Sequence, residues 1–188
     1  VGEQLLLLDN SGAEVLCAVT RSGRKDVEVE LSERRVGKPD SPVRIILCQG
    51  LLKSARFEWI LEKGTELGVA AFAPMLCRRS TSGLEDAGPG KLQRWQRILQ
   101  EAAEQCSRAR IPELRPICSF TQALNVIPPG AVALIPWEEE HDRSLRDALR
   151  AIERGEKNGS LTIVLFIGPE GGLLAEEVSQ AQQHGVQP

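Results

Sequence analysis

The sequence contains few of the residues that bind metals or form disulfide frameworks. Its five cysteines are far apart with no Cys-x-x-Cys pair, and only two histidines occur in 188 residues. This pattern argues against a disulfide framework, a cysteine-ligated zinc site and a histidine metal cluster. Cys48 and Cys118 lie within or beside apolar segments, as buried thiols do. We therefore predict no metal.

Long apolar runs are also missing. No stretch approaches the roughly 18 apolar residues of a membrane span, and no signal peptide is visible. These absences predict a cytoplasmic protein with no membrane partner. The sequence starts at Val1 and stops at GVQP, where a new strand could begin, so we expect the native chain to continue beyond both ends.

Charge is distributed unevenly along the chain. The net charge is -3, but the segment from Arg78 to Arg115 has eight basic and five acidic residues, so it carries +3 and the remainder carries -6. A basic face on an acidic protein is a pointer to nucleic acid. Ordinary solvated helix faces are the alternative explanation.

Hydrophobic patterning divides the chain into two parts. Residues 2–31 show short apolar runs separated by turn sequences, which predicts β-hairpins in a small β domain. After Pro42, the apolar strands VRIILCQ, VAAFAPML, AVALIPW and LTIVLFI alternate with amphipathic helical segments. Such alternation predicts an α/β domain whose parallel sheet is covered on both faces. Alternation alone suggests an open, doubly wound sheet.

A glycine-rich turn, GPEGGL, follows the strand LTIVLFI. Gly168, Gly171 and Gly172 match neither the dinucleotide fingerprint nor the Walker loop. Pro169 removes one backbone N–H donor, and Glu170 would repel a phosphate. A ligand with cationic character fits better, and S-adenosylmethionine has a sulfonium and no phosphate. The alternative is a plain strand-to-helix turn with an acid favoured by the helix dipole.

Several stretches together resemble one known family. IGPEGGL with AEEV, FEWILEKGTELGV, CRRS and EAAEQCSRARIPEL are similar in order and spacing to the uridine-N3 methyltransferases of small-subunit (16S) ribosomal RNA, which belong to the SPOUT superfamily. VGEQLLLLDNSG resembles that family's PUA-like β-barrel. The resemblance implies a PUA-like domain at residues 1–34, a linker at 35–42 and a SPOUT methyltransferase domain with a C-terminal trefoil knot at 43–188. It also implies an S-adenosylmethionine cofactor and a homodimer.

The sequence departs from this family in two places. Ser107 stands where the family often has glycine, a change we expect a helix end to tolerate. The family's last strand and helix, which supply one wall of the cofactor pocket and belong to the knot, are missing before Pro188. We expect that segment to follow in the native chain, and we expect no methyl transfer without it.

The resemblance also implies roles for individual residues. The predicted cofactor-binding residues are Ile135, Pro136, Trp137, Ile167, Gly168, Pro169, Glu170, Gly171 and Gly172. The alternative for Trp137 is a core or interface aromatic. The predicted catalytic residues are Arg79, Arg108 and Glu104, with Glu104 and Glu170 as candidate bases. The predicted RNA contacts are Arg78, Arg79, Gln105, Arg108 and Arg110.

Structural alternatives exist for these charged residues. The arginines could form surface salt bridges, and Glu104 and Arg108 have the i, i+4 spacing of a helical ion pair. The leading hypothesis is an enzyme that methylates N3 of a uridine in ribosomal RNA or in the small ribosomal subunit. A non-catalytic RNA-binding protein of the same architecture is the second hypothesis. A nucleotide-dependent oxidoreductase is disfavoured by the missing fingerprint.

Overall fold

The N-terminal part of the chain forms a separate antiparallel sheet. The computed structural model describes residues 1–37, 39–80, 88–152 and 161–188. The sheet has the order β1 (Gln4–Leu8), β2 (Ala13–Ser22) and β3 (Val27–Val36). Asn10 and Gly12 have φ of 63° and 92° in the turn between β1 and β2, as the predicted DNSG turn requires. Strand β3 continues to Val36, two residues beyond the predicted domain end.

The rest of the chain alternates between strands and helices. The elements are β4 (Val43–Gly50), α1 (Ser54–Glu66), β5 (Val69–Leu76), α2 (Pro89–Gln105), β6 (Glu113–Leu114), β7 (Cys118–Ser119), α3 (Phe120–Asn125), β8 (Val132–Leu134), α4 (Leu145–Ala151), β9 (Leu161–Ile167) and α5 (Ala175–Gln183). The sheet has the order β6-β5-β4-β9-β8, and β7 also pairs with β5. Every pairing in it is parallel.

Side chains on both faces of this sheet are buried. In β4, Ile46 and Cys48 belong to one core and Leu47 to the other. The first core contains side chains of α3 and α5, and the second contains side chains of α1 and α2. Phe57 of α1 packs on Trp95 of α2 with ring centroids 4.5 Å apart. The predicted α/β class with a parallel sheet is therefore confirmed, while the knot and the PUA-like barrel stay predictions.

Some predicted elements differ in extent. The predicted strand AVALIPW pairs with β9 only over Val132–Leu134, because Pro136 has no N–H and the N–H of Ile135 donates to the carbonyl of Gln187 at 2.8 Å. The predicted helix SLRDALRAIERG ends at Ala151, and its last three residues lie outside the described residues. The short elements β6, β7 and α3 lack a periodic pattern that would have predicted them.

The last described residues lie beside β8. Gln187 forms a parallel bridge to Leu134, and its N–H donates to the carbonyl of Ala133 at 2.9 Å. Val186 is buried next to this bridge. Gln187 therefore lies at the β8 edge of the sheet.

Candidate active site

The glycine-rich turn lies at the carboxyl edge of the parallel sheet, where α/β proteins usually bind ligands. Within this turn, the N–H of Gly172 donates to the carbonyl of Pro169 at 2.9 Å. Gly172 has φ of +72°, in the left-handed region that favours glycine. The end of β4 packs directly on it. A Cβ atom added at Gly50 would lie 2.6 Å from the backbone nitrogen of Pro169, so only glycine allows this approach. Buried Gln49 donates from Nε2 to the carbonyl of Gly168 at 3.2 Å.

Arg79 is bound to this turn. Its Nη1 donates to the carbonyl of Gly171 at 2.8 Å. A Cβ atom added at Gly171 would lie 3.1 Å from the Cβ of Arg79, so the two backbones pack closely. The Arg79 side chain is exposed and forms no ion pair with any residue that the structure describes. The structure thus brings one predicted catalytic residue to the predicted cofactor turn.

A second predicted cofactor loop, residues 135–137, follows β8 and meets the same turn. A Cβ atom added at Gly172 would lie 2.4 Å from Oε1 of Glu138. The buried Nε1 of Trp137 has no hydrogen-bond partner among the described residues, so this donor is available to a ligand or another segment.

A cavity of about 220 Å³ separates this loop from α4, with Trp137, Arg143, Ala148 and Pro188 among its lining residues. Ligand pockets commonly measure about 300–1,000 Å³, so this cavity can hold only part of a cofactor.

The Glu170 carboxylate has partners on α1. Its Oε1 lies 3.5 Å from the N–H of Lys53 and 3.3 Å from Nη1 of Arg56. Hydrogen bonds from its own backbone N–H and from Lys53, together with the charge of Arg56, hold the pKa of Glu170 below its ordinary value. The side chain therefore stays ionised, but a carboxylate with a lowered pKa is a weaker base. Its predicted roles as a cofactor contact and as a base stay predictions.

Arg108 has a different environment from Arg79. Its side chain is only 8% exposed and forms a two-pronged ion pair with Asp40, with nitrogen–oxygen distances of 2.9 and 3.2 Å. Its Nη1 also donates to the carbonyl of Val69 at 2.7 Å. Arg108 thus holds the segment before β4 against the start of β5.

The position of Arg108 in the sheet separates it from the glycine turn. Val69 and Ile163 both pair with Ile45 of β4, so they lie at the same level across the parallel strands. Gly168 follows Ile163 by five residues, or about 16 Å along a strand. Within one chain the structure does not bring Arg108 to the turn, and its predicted catalytic role stays a prediction.

The end of α2 explains where Arg108 points. Ser107 has φ of +55°. The N–H of Ser107 donates to the carbonyl of Glu104 at 3.2 Å, and the N–H of Arg108 donates to the carbonyl of Ala103 at 2.8 Å. This pattern is a Schellman motif, which usually has glycine at the position of Ser107. The chain therefore leaves the helix before Arg108. The alternative of a helical Glu104–Arg108 ion pair is wrong: Arg108 pairs with Asp40, and Glu104 accepts a hydrogen bond from Gln100 at 2.8 Å.

Ion pairs neutralise part of the positive charge of the segment from Arg78 to Arg115. Four of its arginines form ion pairs with acids: Arg94 with Glu58, Arg97 with Glu101, Arg108 with Asp40 and Arg115 with Glu113. Within the described residues, Arg78, Arg79 and Arg110 form no ion pair.

The predicted RNA contacts divide into two groups. Arg78 and Arg79 lie beside the glycine turn. Exposed Arg110 lies near the N-terminal sheet, where a Cβ atom added at Gly12 would be 2.7 Å from the Arg110 guanidinium, and exposed Gln105 is the last residue of α2.

Sequence reasoning missed several residues of this site. Gln49 and Gly50 end an apolar strand at the same sheet edge as the glycine turn. A polar residue followed by a glycine at the carboxyl end of a parallel strand could therefore have predicted their place in the site. Glu177 was also missed. It is 6% exposed, and it accepts hydrogen bonds from the N–H groups of Arg78 at 2.9 Å and Leu174 at 3.0 Å. No periodicity predicts a contact between residues 99 positions apart.

The described part of the chain contains no helix long and apolar enough to cross a membrane. Within the same residues, no three His, Cys, Asp or Glu side chains are grouped where they could bind a metal ion.

Comparison with known proteins gives consistent results. Residues 39–188 match a family described as RNA methyltransferase domain. The ribosomal RNA small subunit methyltransferase E of Bacillus subtilis is 33% identical over 187 residues, which cover 98% of this chain and 73% of that protein. The protein of the same name from Mycobacterium bovis is 31% identical over 189 residues, covering 98% of this chain and 69% of that protein.

Solved structures with the same fold were found as well. A putative methyltransferase from Legionella pneumophila, in complex with the bound cofactor SAM, has a TM-score of 0.85 and 29% identity, covering 100% of this chain and 74% of that one. A ribosomal RNA small subunit methyltransferase E from Neisseria gonorrhoeae, bound to S-adenosylmethionine, has a TM-score of 0.84 and 28% identity, covering 99% and 73%.

Proposed function

This chain belongs to the ribosomal RNA small subunit methyltransferase E family, as its motifs predicted, and we propose that it methylates N3 of a uridine in small-subunit ribosomal RNA. The predicted class, an S-adenosylmethionine-dependent rRNA methyltransferase, is confirmed by the family and by its cofactor-bound structures. The family favours this enzyme over a non-catalytic RNA-binding protein and over an oxidoreductase. The choice of uridine N3 is our proposal.

One observation carries the assignment of the site: Arg79 is hydrogen-bonded to the glycine-rich turn. The residues around this turn fit S-adenosylmethionine, since Gly50 and Gly172 let the segments at this sheet edge pack closely, and the buried N–H of Trp137 has no partner among the described residues. When bound, this cofactor supplies a methyl group on a positively charged sulfur. The protein must hold the acceptor nitrogen in line with that methyl group and favour loss of its proton.

Arg79 is the residue we assign to the target base. A uracil that loses its N3 proton carries negative charge on its oxygens, and an arginine can donate a hydrogen bond to one of them or bind a phosphate with two parallel hydrogen bonds. Arg79 is exposed beside the turn and forms no ion pair with an acid among the described residues. The lowered pKa of Glu170 makes that residue a poor general base for this step.

We further propose that RNA contacts two groups of residues: Arg78 with Arg79 beside the glycine turn, and Gln105 with Arg110 at and beyond the end of α2. The three arginines form no ion pair within the described residues. Phosphate contacts would position the RNA, and Arg79 would reach the base. A cytoplasmic homodimer is proposed on the family resemblance, and light scattering of the purified protein tests the dimer.

Nucleoside analysis tests the function. The native-length protein is incubated with S-adenosylmethionine and small ribosomal subunits that lack the modification, and the digested RNA is analysed by liquid chromatography and mass spectrometry. We expect 3-methyluridine to be the methylated nucleoside that accumulates with incubation time. A methyl group found on carbon 5, on a ribose or on another base would refute the assignment of uridine N3.

A further inference from the structure

A buried carboxylate connects the two halves of the proposed site. Both oxygens of Glu177 accept backbone N–H groups: Oε1 from Arg78 at 2.9 Å and Oε2 from Leu174 at 3.0 Å. Glu177 is only 6% exposed. It forms no ion pair with a described residue. Burying an unpaired charge is unfavourable unless hydrogen bonds satisfy it, so this arrangement needs both amides.

The two amides belong to segments that together build the site. Arg78 precedes Arg79 in the short turn after β5, where Ser80 donates back to the carbonyl of Cys77 at 3.0 Å. Leu174 follows the glycine turn and begins α5. Glu177 is therefore a bridge between the turn that carries the arginine and the turn that we assign to the cofactor.

We propose that Glu177 is a positioning residue that fixes Arg79 relative to the glycine turn, so that arginine and cofactor are aligned for methyl transfer. This inference rests on the proposed function, because it gives Arg79 a role at the target base. Only a carboxylate can accept from both amides at once. A glutamine in its place has one oxygen and one NH₂ group, and the NH₂ group would face an N–H donor.

The most informative substitution is Glu177→Gln, which keeps the shape of the side chain and removes one acceptor oxygen. We expect faster hydrogen exchange at the Arg78 or Leu174 amide by about tenfold or more, since a buried donor would lose its partner. We expect single-turnover methyl transfer to fall by about 10- to 100-fold with S-adenosylmethionine affinity changed less than about threefold. Glu176→Gln is the matched control, because Glu176 is exposed on the same turn of α5. That variant should match the wild type in both measurements.

A double-mutant cycle with Arg79→Ala separates positioning from general destabilisation. If Glu177 acts through Arg79, adding Glu177→Gln to Arg79→Ala should lower the rate by less than about threefold. Equal rate losses in both backgrounds would overturn the proposal, as would a wild-type rate for Glu177→Gln alone. If Glu177→Gln does not fold, Glu177→Asp shortens the bridge but keeps both acceptors, and the same coupling to Arg79 is expected. A wild-type protein that transfers no methyl group to RNA would instead refute the proposed function itself.

Discussion

Replacing Ser107 by glycine should stabilise the protein. Ser107 occupies the left-handed position of the Schellman motif that ends α2, with φ of +55°. A residue with a Cβ atom in this conformation costs about 1–2 kcal/mol. Glycine removes that strain, but its unfolded state has more conformational freedom, which offsets about 0.5–1 kcal/mol. Because the exposed Ser107 side chain forms no hydrogen bond with a described residue, nothing else is lost.

The net expectation for Ser107→Gly is a gain of about 0.5–1 kcal/mol, or a melting temperature higher by roughly 1–4 °C for a chain of this size. Urea unfolding followed by circular dichroism should show a higher midpoint with an unchanged slope. Ser107→Ala is the matched control, since it removes the hydroxyl but keeps the strained Cβ atom, and it should not stabilise. An equal gain for alanine and glycine, or a loss for glycine, would refute the role of backbone strain here.

Three further predictions concern the packing of buried residues. Arg108→Ala should lower the free energy of unfolding by about 2–4 kcal/mol, because it leaves Asp40 and buried carbonyls without their donor. In the same urea titration, the control Arg97→Ala should change the free energy of unfolding by less than about 0.5 kcal/mol. Gly50→Ala should weaken S-adenosylmethionine binding at least about tenfold by calorimetry, because its methyl group would meet the backbone of Pro169. Gly90→Ala, where the added Cβ atom meets no atom within 4 Å, should bind normally. Burial raises the pKa of Cys48 and Cys77 from 9.0 to about 12. Between about pH 9 and pH 12 these thiols therefore ionise in the unfolded chain but stay neutral in the folded protein. The free energy of unfolding should fall as the pH rises through this range. At pH 8 a thiol reagent followed by mass spectrometry should label exposed Cys106 and spare those two until the protein unfolds.

The sequence predicted best those strands whose side chains are buried along their whole length. VRIILCQ and VAAFAPML are buried on both faces of a parallel sheet, and such strands are continuous apolar runs. The glycine-rich turn was identified because its proline and glutamate exclude the common phosphate loops.

What could not be predicted depends on local backbone conformation and on distant contacts. The sequence shows Glu104 and Arg108 at helical spacing, but the positive φ of Ser107 ends the helix between them and directs Arg108 to Asp40. Glu177 has the pattern of an ordinary acid in the first turn of a helix, which the dipole alone would explain. Its bond to Arg78 exists only because β5 and β9 end at the same edge of the sheet.

The rate of methyl transfer by Arg79→Ala tests the central claim most directly, namely that Arg79, which is hydrogen-bonded to the glycine-rich turn, acts on the target base. Single turnover is measured with native-length protein, saturating S-adenosylmethionine and unmodified small subunits, with Arg146→Ala as a control because Arg146 is exposed on α4. We predict a fall of about 100-fold for Arg79→Ala, with the cofactor dissociation constant changed less than about threefold and a wild-type rate for Arg146→Ala. Transfer by Arg79→Ala at the wild-type rate would contradict the account.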